Sequence, residues 1–178
     1  MENSNKKMKI ITIPHQSLRQ KARVVKRVDK KLVKFVSDLK KTLKGSNKPK
    51  GVGLAAPQVD KLIRAFAVRA GDDDKIDTWP VEVLINPIVA RHCKRNMVLG
   101  PKPNQNRFEG CLSMPNMWGP VPRWRWLEVE YQILEDGTLI NKKKRFDDFA
   151  ARVVQHELDH LEGILFTDHS LQFDLLFI

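Results

Sequence analysis

Cysteine is scarce in this chain of 178 residues, which contains only Cys93 and Cys111. A disulfide framework needs more cysteines than this. The two thiols therefore favour a reducing compartment, and we expect the chain to be cytoplasmic. The chain also lacks any run of about 18 apolar residues, which predicts that it has no membrane-spanning helix. Residues 1–9 are polar and basic, and they lack the apolar centre of a secretory signal peptide.

Acidic residues are too few to balance the basic ones. The chain has 21 Asp and Glu against 32 Lys and Arg, which gives a net charge of +11. A domain this basic attracts polyanions, although a solvated basic surface explains most runs of positive charge. No nucleic-acid-binding motif accompanies the basic residues, and the aromatic residues are not interleaved with them. The sequence has no internal repeats, and its length predicts one domain that spans residues 1–178.

The pattern H-E-x-x-H, formed by His156, Glu157 and His160, is the strongest chemical signal in the sequence. Residues four positions apart share one face of a helix, so the two histidines can bind one metal ion. Glu157 is placed to take a proton from a water molecule. Cys111 is the better candidate for a third ligand, and Cys93 fits an incidental thiol because a catalytic site keeps one position open. A buried helix whose histidines only form hydrogen bonds is the alternative.

The order of the remaining patterns indicates an α+β fold. An apolar stripe predicts an amphipathic helix at residues 29–44, with Asp29 as its cap. A second helix carries the metal motif, begins near Asp147 or Asp148 and ends at Gly163. The other predicted elements are strands at 63–70, 81–85 and 127–133, turns at 71–74 and 135–138, and a loop at 91–107. Because the strands mostly precede the main helix, we expect that helix to pack against a sheet.

Three sequence strings occur in a fixed order: GVGLAAPQ at 51–58, EGCLS at 109–113 and QHELDH at 155–160. Together they resemble the three signatures of the peptide deformylases, and the similarity extends over most of the chain. The resemblance implies an α+β fold in which antiparallel sheets surround a central metal-binding helix. It also implies a metal-dependent hydrolase that removes the N-formyl group from the N-terminal methionine of newly synthesised polypeptides.

The resemblance assigns chemical roles to particular residues. The metal ligands would be Cys111, His156 and His160. Ferrous iron is the implied native ion, and zinc, nickel or cobalt could occupy the same site. Glu157 would take a proton from water and pass it to the leaving amine. The side-chain amide of Gln58 and the backbone N–H of Leu112 would donate hydrogen bonds to the oxygen that becomes negative.

The resemblance also implies how a substrate would bind. An extended N-formylmethionyl peptide would pair with the backbone of Val52 and Gly53, in the manner of strand addition. An ordinary turn or bulge is the alternative explanation for the glycines of this string. The predicted substrate-binding residues are Val52, Gly53, Gly110, Met114 and Val153. Nascent polypeptides are the expected partners, and the basic charge is consistent with weak attraction to ribosomal RNA.

Three more residues have predicted supporting roles around the site. The family pairs an acid with an arginine at positions that correspond to Glu109 and Arg123, which implies a structural ion pair. Asp159 can orient a ligand histidine, because metal-binding imidazoles usually need a partner at their second nitrogen. A surface role for Asp159 is the alternative.

Several features depart from the family pattern, and two of them bear on substrate binding and on the C-terminal segment. Trp118 replaces an arginine that is common shortly after the cysteine string. The apolar stretch around it, which also contains Met114, Met117, Trp124 and Trp126, either lines a methionine pocket or belongs to the core. In addition, the segment 161–178 is too short and too apolar for the long terminal helix of many relatives. A terminal strand or an interface fits it better.

Two other functions are compatible with parts of the sequence. A metalloendopeptidase could use the same H-E-x-x-H helix, but Cys111 and the string that contains Gln58 argue against it. A basic RNA- or ribosome-binding domain with a structural metal is the non-enzymatic alternative. Such a site would have four protein ligands and no water.

Overall fold

The main sheet of the protein consists of five antiparallel strands and lies between two helices. The computed structural model describes residues 7–47, 50–69, 78–98, 108–170 and 176–177. In chain order the strands are β1 (Gly53–Ala55), β2 (Ala65–Arg69), β3 (Val81–His92), β4 (Asn96–Val98), β5 (Phe108–Cys111), β6 (Met114–Pro120), β7 (Pro122–Trp124), β8 (Trp126–Glu135), β9 (Thr138–Asp147) and β10 (Leu176–Phe177). The main sheet has the order β1-β2-β3-β8-β9. A second sheet has the order β10-β6-β5, and β4 pairs with β7.

Helix α1 (Lys30–Lys44) forms as the apolar stripe predicts. The Asp29 side chain accepts a hydrogen bond of 2.8 Å from the Leu32 backbone N–H, which satisfies one of the free donors of the first turn. Leu39 and Leu43 are fully buried against the sheet, while most of the lysines of α1 face outward. Burial of this one face, rather than helix propensity, stabilises α1.

The part of the main sheet formed by β1, β2 and the first half of β3 buries both of its faces, because its strands alternate between two apolar layers. Ala65 and Ala67 of β2 contact the layer that contains α1. Phe66 and Val68, which point to the other face, join the layer beneath the second long helix. The near-continuous apolar sequence of β2 follows from this position, since a strand covered on both sides has no polar face.

Helix α2 (Asp148–Glu162) carries the metal motif and packs on the second face of the sheet. Asp147 is its N-cap, and Gly163 ends it in the left-handed conformation with φ of 75°. A Cβ at this glycine would also lie 2.7 Å from the carbonyl carbon of Arg19, so no other residue fits there without movement. A short helix, α3 (Phe166–His169), follows. The predicted α+β fold, with antiparallel sheets around the motif helix, is confirmed.

The prediction of a loop at 91–107 is wrong in part. β3 continues to His92, and β4 occupies residues 96–98 and pairs with β7. The end of β3 is exposed and polar, and β4 has only three residues, so neither shows the alternating apolar pattern that identifies a strand. Residues 99–107 and the predicted acidic turn at 71–74 lie outside the described residues. The expected terminal strand is present as β10, which pairs with β6 at the position of Trp118.

No helix in the described part of the chain is both long enough and apolar enough to span a membrane.

Candidate metal centre and active site

Three potential metal ligands converge where β5 meets helix α2. Cys111 ends β5, and His156 and His160 lie one turn apart on α2. The ligand atoms of the three side chains all lie within 4.8 Å of one another, and Cys111 Sγ is 3.2 Å from His160 Nε2. Cys93 is not part of this group. Its sulfur accepts a hydrogen bond of 3.1 Å from the Arg125 backbone N–H.

This set of donors fits a divalent transition metal. One thiolate and two imidazoles complete three positions of a catalytic site and leave a fourth open. The Oε2 atom of Glu157, on the same helix, is buried and has no hydrogen-bond partner among the described residues. Buried carboxylate oxygens usually have a partner, so an unpartnered one beside three ligands favours a bound cation and water over an apolar core.

Glu109 fixes the orientation of His156. Its Oε2 lies 2.9 Å from His156 Nδ1, while Arg123 donates hydrogen bonds of 2.9 and 3.0 Å to its two oxygens. Burial alone would raise the pKa of Glu109, but hydrogen bonds with His156 and Arg123 lower it to about 2. A permanently charged acceptor at Nδ1 leaves Nε2 available to a metal. The ion pair of Glu109 with Arg123 was expected, but the contact with His156 was not.

Asp159 acts on the ligand histidine His156 indirectly, through Arg123 and Glu109. Its Oδ2 accepts a hydrogen bond of 2.6 Å from Arg123 and lies 3.4 Å from His169 Nε2. The hypothesis that Asp159 orients a ligand histidine directly is therefore replaced by an indirect arrangement, in which Asp159 holds Arg123 and Arg123 holds Glu109. The helix turns Asp159 away from the metal ligands because it directly precedes His160.

The two ligand histidines differ in their surroundings. Burial lowers the pKa of His160 well below its usual range, which favours the neutral imidazole that a metal requires. Burial also opposes a charge on His156, but Cys111 and Glu109 together raise the pKa of His156 well above its usual range. A divalent cation bound by the same residues would compete with that proton.

Glu157 is buried, with 3 % of its surface exposed. Burial raises the pKa of Glu157 to about 7, because little water is present to stabilise the carboxylate charge. A carboxyl group with such a pKa can both accept and donate a proton near neutral pH.

Gln58 directs its amide group toward the ligand thiol. Its Oε1 accepts a hydrogen bond of 2.8 Å from the Ala55 backbone N–H. Its Nε2 then faces Cys111 Sγ at 3.4 Å and Ser113 Oγ at 3.2 Å. Oε1 is held by the backbone, so the donor end must point into the site. The contact with Ser113 was not predicted, because no sequence pattern links position 58 to position 113.

A cavity of about 320 Å³ opens at Cys111 and His156, which are among the residues that line it. It brings together the predicted substrate-binding residues Val52, Gly53, Gly110, Met114 and Val153, together with Gln58, Leu112 and Glu157. This volume and its mainly apolar walls suit a small side chain and the first peptide units that follow it.

The tryptophans of the apolar stretch separate into two groups. Trp118 lines the cavity and lies across from Gly110, its cross-strand partner. Met117 also lines the cavity. By contrast, Trp124 stacks on His92 with ring centres 3.6 Å apart, and Trp126 lies beneath the Arg145 guanidinium. The stretch therefore contributes Trp118 and the methionines to the cavity, and the other two tryptophans lie outside it.

The fold and the site together define an α+β metallohydrolase, in which a cysteine from a strand completes the ligand set of an H-E-x-x-H helix. The sequence model of the family described as "Polypeptide deformylase" matches residues 7–174. The chain therefore belongs to the peptide deformylase family. It is a metal-dependent hydrolase that removes the N-formyl group from nascent peptides.

Individual relatives agree with this assignment. The chain is 39% identical over 162 residues to the peptide deformylase of Rhodopirellula baltica, with 90% of this chain and 72% of the relative covered. It is 38% identical to peptide deformylase 1 of Bacillus subtilis, with 89% and 87% covered. Among solved structures, the Thermotoga maritima peptide deformylase has a TM-score of 0.75 at 29% identity, with 93% and 99% covered. The Synechococcus elongatus enzyme in complex with actinonin has a TM-score of 0.75 at 31% identity, with 94% and 83% covered.

Proposed function

We propose that Cys111, His156 and His160 hold one divalent metal ion, and that Glu157 and Gln58 act on the formyl group of an N-formylmethionyl peptide. The observation that carries this proposal is the convergence of three potential ligand atoms beside the buried Glu157 Oε2, which has no hydrogen-bond partner in the part of the chain that the structure describes. An open ligand position and a cavity of suitable size support hydrolysis rather than a structural metal.

Ferrous iron is the native ion in this proposal, and zinc, nickel or cobalt can take its place. The thiolate of Cys111 supports a soft or redox-active ion, because it donates more charge than a third imidazole would. When bound, the ion polarises the formyl carbonyl and lowers the pKa of water. Reconstitution with each of the four ions under anaerobic conditions, followed by metal analysis and a formyl-peptide assay, tests this assignment. Activity highest with Fe²⁺ is expected, and activity that is independent of the ion contradicts it.

Glu157 moves the proton in the proposed reaction. It accepts a proton from the attacking water and passes it to the amine that leaves when the C–N bond breaks. Its pKa of about 7 suits both halves of this transfer. Because the carboxylate is buried beside the ligands, no bulk water needs to enter for the proton to move.

Gln58 and Leu112 stabilise the oxygen that becomes negative. The amide nitrogen of Gln58 is a neutral donor held by the contact of Oε1 with Ala55. The backbone N–H of Leu112, between the ligand Cys111 and Ser113, is the second donor. Donors that are already oriented stabilise a developing charge without reorganisation during the reaction.

The substrate binds as an extended chain end in this proposal. β1 is the terminal strand of the main sheet, so a short peptide can add to it beside Val52 and Gly53, with Gly110 on the other side of the cavity. The methionine side chain enters the apolar part of the cavity near Met114 and Val153. An unbranched, polarizable side chain fills such a space well.

Replacement of Glu157 by Gln tests the chemical role of this carboxylate. The variant should keep its fold and its metal, and kcat should fall by roughly 10²-fold or more. A near-normal kcat for the variant would contradict the role of Glu157.

Parallel assays of formyl-Met and formyl-Asp tripeptides with the unmodified enzyme test the pocket, since an aspartate would bring an unpaired charge into an apolar site. Equal kcat/KM for the two peptides would contradict the pocket.

The basic surface supports a further part of the proposal. The chain acts as a single catalytic domain in the cytoplasm and associates weakly with ribosomal RNA, where formylated chains emerge. The net charge of +11 and the exposed residues Lys142 to Arg145 on β9 support this association.

A further inference from the structure

Gly53 and Glu157 are in direct contact across the site. If Gly53 carried a Cβ, that atom would lie 2.6 Å from the Cδ and 2.8 Å from the Cγ of Glu157, and closer still to Oε1. Real Cβ atoms essentially never approach other heavy atoms within 3.0 Å. The carboxylate of Glu157 therefore occupies space that every residue except glycine would fill.

The backbone at this position is held firmly. Gly53 is paired with Val68 in the β1–β2 ladder. The Arg69 backbone N–H donates to the Val52 carbonyl at 2.9 Å, and Arg69 Nε donates to the Gly51 carbonyl at 3.0 Å. A strand with three such attachments cannot easily retreat from a collision.

The backbone of Glu157 is equally constrained, because its helix packs on the sheet through buried residues on either side of it. Val154, Leu158 and Leu161 belong to one apolar cluster with the strands. Both backbones are therefore fixed, and the part that must move if position 53 gains a side chain is the side chain of Glu157 itself.

In the described structure no hydrogen bond fixes the direction of the Glu157 Oε2 atom. That atom has no hydrogen-bond partner among the described residues, although it is buried. A flexible glutamate without such a bond has several accessible rotamers unless its neighbours exclude them. The three atoms that a Cβ at Gly53 would meet first all belong to the Glu157 side chain, so the Gly53 backbone borders this side chain closely on one side.

We propose that Gly53 is a positioning residue for Glu157: its bare Cα is the surface against which the carboxylate packs, so that Oε2 points toward the ligand group. This inference rests on the proposed role of Glu157 as the proton carrier. It assigns Gly53 a role separate from pairing with the peptide backbone, because the contact joins two residues of the chain itself.

The kinetic test is the variant Gly53→Ala. A carboxylate displaced by about 1 Å should lower kcat by roughly 10–100-fold. Metal content should remain that of the unmodified enzyme, and KM should change far less than kcat. A variant with normal kcat and raised KM would overturn the proposal, since that result would show that the glycine serves only the approach of the peptide.

A stability test separates this contact from the catalytic role of Glu157. In the metal-loaded protein, Gly53→Ala should lower Tm by roughly 3–10 °C through overpacking. In a Glu157→Ala background most of that loss should disappear, because the colliding atoms are gone. The same loss in both backgrounds, or a failure to fold in both, would overturn the proposal. A variant that folds only in the Glu157→Ala background would support it.

Gly51→Ala is the matched control for the stability test. A Cβ at Gly51 would meet side-chain atoms of Leu43 at 3.0 Å and Leu112 at 3.2 Å, and Glu157 is not among its nearest neighbours. Its effect on Tm should therefore be the same with and without the Glu157 side chain. Normal turnover of Glu157→Ala would contradict the proposed role of Glu157. If the effect of Gly53→Ala on Tm still depended on the Glu157 side chain in that case, the packing contact would remain supported.

Discussion

The two cysteines of the chain differ in their surroundings, and this difference can be tested residue by residue. Cys111 Sγ faces His160 and Gln58, whereas Cys93 Sγ forms hydrogen bonds with the backbone groups of Arg95 and Arg125. We predict that Cys111→Ala loses its metal and its activity, because two histidines bind a divalent ion weakly. Metal analysis and a formyl-peptide assay measure both effects.

Cys93→Ala is the control for this prediction. It should retain the metal content and kcat of the unmodified enzyme, because its sulfur is remote from the ligand group. Full metal occupancy in Cys111→Ala would show that Cys111 is not a ligand, and loss of metal in Cys93→Ala would show that the wrong cysteine was chosen.

Gln58 is a second residue whose role depends on one atom. Gln58→Leu removes the donor that faces the site and should lower kcat by roughly 10²-fold, with metal content unchanged. Ser113→Ala keeps that donor and removes only its neighbour, so its effect on kcat should be much smaller. Steady-state kinetics with a formyl-Met peptide distinguish the two variants. An effect of Gln58→Leu on KM alone would show that the amide only binds the substrate.

At the scale of secondary-structure elements, the Gln155 side chain attaches α2 to the backbone of β7, beside the Arg123–Asp159 contact between the same two elements. Gln155 Oε1 accepts a hydrogen bond of 2.8 Å from the Trp124 backbone N–H, and its Nε2 donates to the Trp124 carbonyl at 2.9 Å. The side chain thus forms the pair of hydrogen bonds that the backbone of a neighbouring strand would form with Trp124. Gln155 directly precedes His156 on the helix, so its hydrogen bonds attach the helical turn that carries this histidine to β7.

We predict that Gln155→Leu destabilises the protein by about 1–3 kcal/mol, because both backbone groups of Trp124 lose the Gln155 side chain as their partner in a partly buried place. Urea unfolding measures the change. Gln16→Leu, at an exposed position, should change stability by less than about 0.5 kcal/mol. Equal effects at the two positions would mean that the contact with Trp124 contributes nothing to stability.

The elements themselves could be predicted where local signals are strong. The cap at Asp29, the apolar stripe of α1 and the glycine after α2 are local, and both helices were predicted within a few residues. β4 was missed because it is only three residues long, mostly exposed and follows a polar segment, so no alternating apolar pattern marks it. The contact of Glu109 with His156 joins β5 to α2, although the two residues are 47 positions apart in the sequence. The close approach of Glu157 to Gly53 likewise forms only when β1 and α2 pack together. Such contacts follow from tertiary structure, which local patterns do not encode.

At the scale of the whole molecule, the excess of positive charge predicts salt-dependent binding to RNA. Weak binding to a ribosomal RNA fragment should fall steeply as salt concentration rises, because each neutralised phosphate releases counterions. The pair of changes Lys142→Glu and Lys144→Glu lowers the net charge from +11 to +7 and should reduce both affinity and salt dependence. Fluorescence anisotropy at several salt concentrations measures this.

The same double variant provides an internal control for that measurement. Both lysines lie on β9, away from the residues that line the cavity, so kcat/KM for a short formyl peptide should not change. RNA affinity that is independent of salt and of these lysines would contradict an electrostatic association.

The order of strands in the main sheet has a consequence for self-association. Exposed sheet edges are sites where proteins aggregate, and this sheet ends in β1 on one side and β9 on the other. β1 is only three residues long, and the exposed stretch of β9 carries Lys142, Lys143, Lys144 and Arg145 in succession. A flexible chain end can pair with a strand of three residues. A strand of a folded neighbour would pair poorly with β1, which is too short, and with β9, which is too strongly charged. The architecture thus admits unfolded N-termini and resists fibril-like stacking of its own copies.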